Sequence, residues 1–137
     1  KEDKYRLAEF ENFRRRTRTE QEEMRKTAAK TLLVELLDIE DGFATAIEGS
    51  ETTEMAAWRE GVIMIAKKFR GILEKHGVQP IEAQDSEFDP GVHEALFVVD
   101  EGEHKGQKVV QVMQRGYLLH DKVLRLAKVK VARGQGG

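Results

Sequence analysis

The chain has 137 residues, 39% of them hydrophobic and 35% charged, with no cysteine and a formal net charge of −2. These values fit one domain or two small ones with much exposed surface, exclude a disulfide scaffold and a thiolate nucleophile, and make the cytosol the default compartment. The longest apolar runs, such as residues 62–66, are far short of the ~20 residues a membrane-spanning helix needs, and no secretory signal follows the start.

Lys1 to Asp41 contains neither glycine nor proline, so it reads as one helix, of roughly 60 Å at about 1.5 Å per residue. Its opening residues resemble the middle of a helix, which suggests a natural chain that begins earlier. A globule of this size has a radius of gyration near 14 Å, so the helix cannot be contained in it. Apolar residues are sparse but regularly spaced: Leu7 and Phe10, then Thr17 and Gln21 in an otherwise polar interval, then Met24, Ala28 and Thr31. A seam that thin needs a partner helix, and a second copy of the same chain is the simplest source. The expectation is an elongated homodimer. Arg14, Arg15, Arg16 and Arg18 interrupt the seam, either as a solvated face with partners such as Glu20 and Glu22 or as a docking patch for an acidic surface.

From Thr31 the pattern thickens. Leu32, Leu33, Leu36, Leu37, Ile39, Phe43 and Ile47 cover more than one side of the helix, as in a bundle. Gly42 can bend the helix, and Gly49-Ser50 ends it. A second helix is expected to start among Ser50 to Thr53, with a stripe of Met55, Trp58, Val62, Ile65, Phe69, Ile72 and His76, and to stop at Lys75-His76-Gly77 before Pro80. Gly61 lies at the edge of that stripe, as either a close approach by another backbone or a tolerated glycine costing roughly 1 kcal/mol. The dimerisation set read from both helices is Leu7, Phe10, Met24, Leu32, Leu36, Trp58, Val62, Ile65 and Phe69.

From Val78 the period changes to two, and residues 78–137 are expected to form a small β-domain after a helical region spanning 1–77. Strands are predicted over His93–Val99, Val109–Gln114, Tyr117–Leu119 and Lys122–Val131, with His120-Asp121 as a tight hairpin turn. In the second of these strands one face carries Val109, Gln111, Met113 and Arg115, and the other Val110, Val112 and Gln114. Met113 then sits among polar side chains, as a partner-binding thioether or as a core filler. The glycine-rich tail from Ala132 is expected to be flexible. The four histidines lack metal-ligand spacing, no phosphate loop occurs, and the acids among residues 1–30 oppose a nucleic-acid reading of the arginines. No cofactor, metal, nucleic acid or catalytic residue is expected.

Phe88-Asp89-Pro90, His93, Ala95 and Leu96, followed by Gly116-Tyr117, Asp121, Leu124-Arg125, Ala127, Val129 and Val131, resemble the signature of the GrpE family. Glu11 to Thr17 and Glu60-Gly61-Val62 are similar to that family as well, so the likeness covers essentially the whole chain. The resemblance implies an α+β fold: a long coiled-coil-like N-terminal helix, a dimeric four-helix bundle and a small C-terminal all-β domain. It implies a non-enzymatic nucleotide exchange factor, a co-chaperone that binds the ATPase domain of a DnaK-type chaperone, opens its nucleotide cleft and releases ADP during protein folding and heat shock. By the same resemblance the chaperone contacts are Arg14, Gly61, Phe88, Pro90, Met113, Lys122 and Val131. Asp38 and Glu23 depart from the family's pattern, at a position often proline and at one that is basic in some relatives. A coiled-coil scaffold without exchange activity is the alternative reading.

Overall fold

A computed structural model describes residues 2–136. Helix α1 (Glu2–Glu48) runs without a break through Gly42, and at about 1.5 Å per residue it is roughly 70 Å long. Its only buried residue is Ile39. Helix α2 (Met55–Lys75) has its cap one residue after the expected Ser/Thr region: the Trp58 amide donates to the Glu54 carbonyl, so Glu54 occupies the cap position. Its C-terminus follows the sequence, with Gly77 at φ 84° and its amide bonded to the Glu74 carbonyl at 3.0 Å. A side chain at Gly77 would also run into the His120 imidazole, so two constraints hold glycine there.

The chain divides into two compact units, Lys1–Phe69 and Arg70–Gly137. In the first, α1 and α2 form a hairpin. The Trp58 indole donates to the Ala46 carbonyl at 2.9 Å, and the exposed pair Lys68 and Asp38 lies at 3.8 Å. Gly42 permits the approach of the two helices, because a Cβ there would lie 3.1 Å from Ile65 Cγ1. The close-approach glycine of this hairpin is therefore Gly42.

Among the described residues the second unit carries six strands in two three-stranded sheets. One has the order β1-β4-β5 (Val78–Pro80, Tyr117–Leu119, Lys122–Arg125), and the other β2-β6-β3 (His93–Asp100, Ala127–Arg133, Gln107–Gln114). The strand expected over Lys122–Val131 is thus two strands that change sheets around Leu126. His120 and Asp121 both have positive φ, 48° and 66°, which is the signature of a type I′ hairpin turn formed here without glycine. β6 is the central strand, parallel to β2 and antiparallel to β3. Its Ala127, Val129 and Val131 join Val109 and Ala83 in the core, with Ile81, Phe88 and Val112 packed against them. Val109, Val129 and Val131 are the largest fully buried side chains, each worth about 1.5–3 kcal/mol of transfer free energy.

Two expectations are corrected. Strict alternation on β3 fails because the register shifts between Val109 and Gln111 and again between Val112 and Gln114. Val109 and Val112 therefore both serve the core, and Val109 parts from Gln111, Met113 and Arg115, which are all exposed. The tail from Ala132 is ordered as far as it is described: Ala132 is buried in β6, and the amides of Gly134 and Gln135 donate to Gly106 and Gly102 carbonyls. Its glycines serve close packing, since a Cβ at Gly134 or Gly136 would collide with the His104 or Glu103 carbonyl.

Candidate functional site

Phe88 is half-buried against the core of the second unit, and its amide donates to the Gln107 carbonyl at 3.0 Å, beside the first residue of β3. The turn that follows is held from two directions. Asp89 Oδ1 accepts from the Gly91 amide at 2.9 Å, and the Asp89 amide donates to His93 Nδ1 at 2.9 Å while the His93 amide bonds the Asp89 carbonyl. His93 is 4% exposed, and its ring lies 5.9 Å from that of Phe88. An accepting Nδ1 fixes the neutral ring with its proton on Nε2. His93 is therefore a positioning residue for Phe88 and for the exposed Pro90. His93→Phe keeps the ring but orphans the Asp89 amide, and should lower the melting stability of the β-unit by about 1–3 kcal/mol in thermal denaturation.

Met113 is 46% exposed and is the extra residue of the second β3 bulge, between the paired positions Val112 and Gln114. The core-filler reading fails because the bulge turns the thioether outward. Phe88 is bonded beside Gln107, the first residue of β3, and Met113 lies six residues further along that strand. Lys122 is exposed at the start of β5, in the other sheet, and no contact joins it to Phe88 or Met113 among the described residues. Val131 is corrected: at 1% exposure it packs in the sheet core and offers no surface to a partner.

In the first unit, Arg14 is exposed, 5.8 Å above the Phe10 ring, and shares an open groove with Glu11, Arg15 and Arg18. Gly61 is half-buried on α2 with nothing within 4 Å of a Cβ built there, so no neighbour in this chain requires a glycine. The residues expected at a dimer seam divide in two. Leu7, Phe10 and Met24 are 56–70% exposed, and Phe69 39%, whereas Leu32, Leu36, Val62, Trp58 and Ile65 are half-buried, the last two by the hairpin itself. Lys26, Ala29, Lys30, Leu33, Val34, Leu36 and Leu37 line a further open groove along α1.

Among the described residues no group of three or more acidic, histidine or cysteine side chains could hold a metal ion, and no helix is long and apolar enough to cross a membrane. The sequence profile of the GrpE family matches residues 1–133. The chain belongs to the GrpE family. Relatives include the Protein GrpE of Methanosphaera stadtmanae, 40% identical over 126 residues that make up 92% of this chain and 71% of that protein. Those of Geobacillus thermodenitrificans and Desulfatibacillum aliphaticivorans are 41% and 38% identical over 92% and 94% of this chain, which covers 58% and 64% of their lengths.

Several positions that carry the GrpE likeness turn out to be structural. Gly116 is buried where a Cβ would meet the Ala127 backbone nitrogen and lie 2.8 Å from Ala127 Cα and from Ile81 Cδ1. Arg125 donates through Nε and Nη2 to the Arg115 carbonyl, at 3.0 and 2.8 Å, with its guanidinium 5.3 Å from the Tyr117 ring centroid. Asp121 supplies one of the two positive φ angles of the hairpin. The turn role of Asp121 is legible in the sequence, whereas those of Gly116 and Arg125 are not, because their partners are groups whose proximity depends on the fold.

Proposed function

We propose that this chain works as a homodimeric nucleotide exchange factor for a DnaK-type chaperone in the cytoplasm, taking part in protein folding and the heat-shock response. The observation that carries this reading is the family match over residues 1–133, which takes in both helices and all six strands. The relatives' name, Protein GrpE, agrees with it. The dimer accounts for α1: a 47-residue helix with one buried residue and exposed Leu7, Phe10, Met24, Leu33 and Leu37 gains its stability from partners. Two helical hairpins would supply the four helices of a bundle, within a dimerisation region over 1–77, and residues 78–137 would form the β-domain that engages the chaperone.

In this reading Phe88, Pro90, Met113 and Lys122 meet the ATPase domain, Arg14 adds a contact from α1, and Gly61 allows close approach at α2. The exchange factor binds the open, ADP-free cleft more tightly than the closed one, and that difference drives release. No bond is made or broken by the protein. Labelled ADP preloaded on a DnaK-type ATPase domain should leave faster when the protein is added; an unchanged rate would favour the coiled-coil scaffold. Gly61→Asp probes the helical contact. Because Gly61 has open space around it, the variant should melt within about 1 kcal/mol of the parent, while affinity for the ATPase domain, read by calorimetry, should fall at least about tenfold. Loss of the helical fold instead would assign Gly61 to internal packing.

A further inference from the structure

The β2-β6-β3 sheet has two edges, and they are treated differently. Along β3 the outer edge is covered by the preceding segment: the Val109 amide donates to Ser86, the Asp85 amide to Val109, and the Gln84 side chain to the Val110 carbonyl. Along β2 nothing is paired beyond β6 among the described residues. Leu96, Phe97 and Val98 stand consecutively on that edge, 43%, 56% and 45% exposed. A free strand edge with three exposed apolar residues in a row is the template used to add an extended peptide as a further strand.

Charge narrows the occupant. Between Lys75 and Lys105 the chain carries eight Asp and Glu residues and no Lys or Arg. Glu94 lies near one end of β2, and Asp100, Glu101 and Glu103 lie at and beyond the other. Asp100 is engaged by Arg133 at 3.3 Å, and Lys128 and Lys130 sit one strand inward, so the acidic character is concentrated at the ends of the edge. A second copy of β2 in antiparallel pairing would place Glu94 near Asp100 and Glu101 of its mate, a like-charge arrangement that disfavours self-association. We infer that the β2 edge accepts an extended polypeptide segment, apolar at its centre and carrying Lys or Arg at its ends, by strand addition. The seven β2 residues that pair in register with β6, interrupted by a bulge at Leu96, offer at about 3.3 Å per residue roughly 23 Å of docking length. This site is separate from the surface of Phe88, Pro90 and Met113 assigned above.

The test uses the full chain and a fluorescent peptide, Lys-Lys-Val-Thr-Val-Thr-Val-Lys-Lys, with a counterpart whose lysines are glutamates. Anisotropy should show the lysine peptide binding at least about tenfold tighter, with affinity falling as salt rises. Phe97→Lys should abolish that preference at unchanged melting temperature and unchanged ADP release, and Phe97→Thr, a milder change that suits a strand, should weaken binding without unfolding. Equal binding of both peptides, or full binding by both variants, would overturn the proposal. So would slower ADP release by folded Phe97→Thr, which would make the edge part of the chaperone surface, or a change in sedimentation that made it an interface between copies.

Discussion

Gly116→Ala should disable the β-unit while sparing the helices. The added methyl would press on the Ala127 backbone, which cannot rotate away as a side chain tip would, and on Ile81 Cδ1 in the core. Overpacking a filled core by one methyl costs typically 1–3 kcal/mol, and a backbone clash puts this site at about 3 kcal/mol or more. For a unit of this size each kcal/mol moves the midpoint by about 4–8 °C, so the β-unit transition should fall by more than about 10 °C. Gly71→Ala is the control: Gly71 is helical with nothing within 4 Å, so alanine there should be neutral or stabilising by up to about 1 kcal/mol. Calorimetry reads both variants, and sedimentation of Gly116→Ala should still report a dimer, because the exposed apolar residues of α1 are untouched.

Met113→Asp should produce the largest functional loss at the least structural cost. The side chain is nearly half exposed on a bulge, so its replacement should move stability by no more than about 0.5 kcal/mol. In a packed interface the same change removes an adaptable apolar contact and introduces a charge that must be desolvated, a loss above about 2 kcal/mol and so more than tenfold in affinity. At sub-saturating protein, ADP release from the chaperone should slow by that factor while melting and helicity stay the same. Normal release by the folded variant would remove Met113 from the contact surface.

Much of the fold was legible because it rests on local signals. The absence of breakers before Gly42, the stripe from Met55 to Phe69 and the Lys75-His76-Gly77 stop gave two helices whose ends moved by only a few residues. Even the hairpin at His120-Asp121 was placed from its flanking apolar runs. Errors arose where a backbone irregularity or a distant neighbour decided the outcome. The bulges on β3 put Val109 and Val112 on the core side together and separate Val109 from Gln111 and Met113, and no periodicity in Val109 to Gln114 signals them. Val131 carried the family pattern but is buried, since the chain crosses between sheets after Arg125 and makes β6 the centre of the second sheet. The tail looked disordered from its glycines, whereas those glycines let it pack on the 102–106 turn. His93 was read as a strand residue, a member of the family signature and a histidine without metal spacing, but its hold on the Phe88 turn depends on a bond to the Asp89 amide that sequence alone does not reveal.

The central claim is that the β-unit is what speeds ADP release. Truncation after Gly77 keeps both helices whole and removes every strand. Stopped-flow release of labelled ADP from a DnaK-type ATPase domain, at saturating protein, compares the intact chain with the truncated one. The account predicts fast release with the intact chain and near-basal release with the truncated helices, even if these still bind through Arg14. Equal acceleration by the truncated helices would contradict it, and the assignment of Phe88, Pro90, Met113 and Lys122 would fall with it.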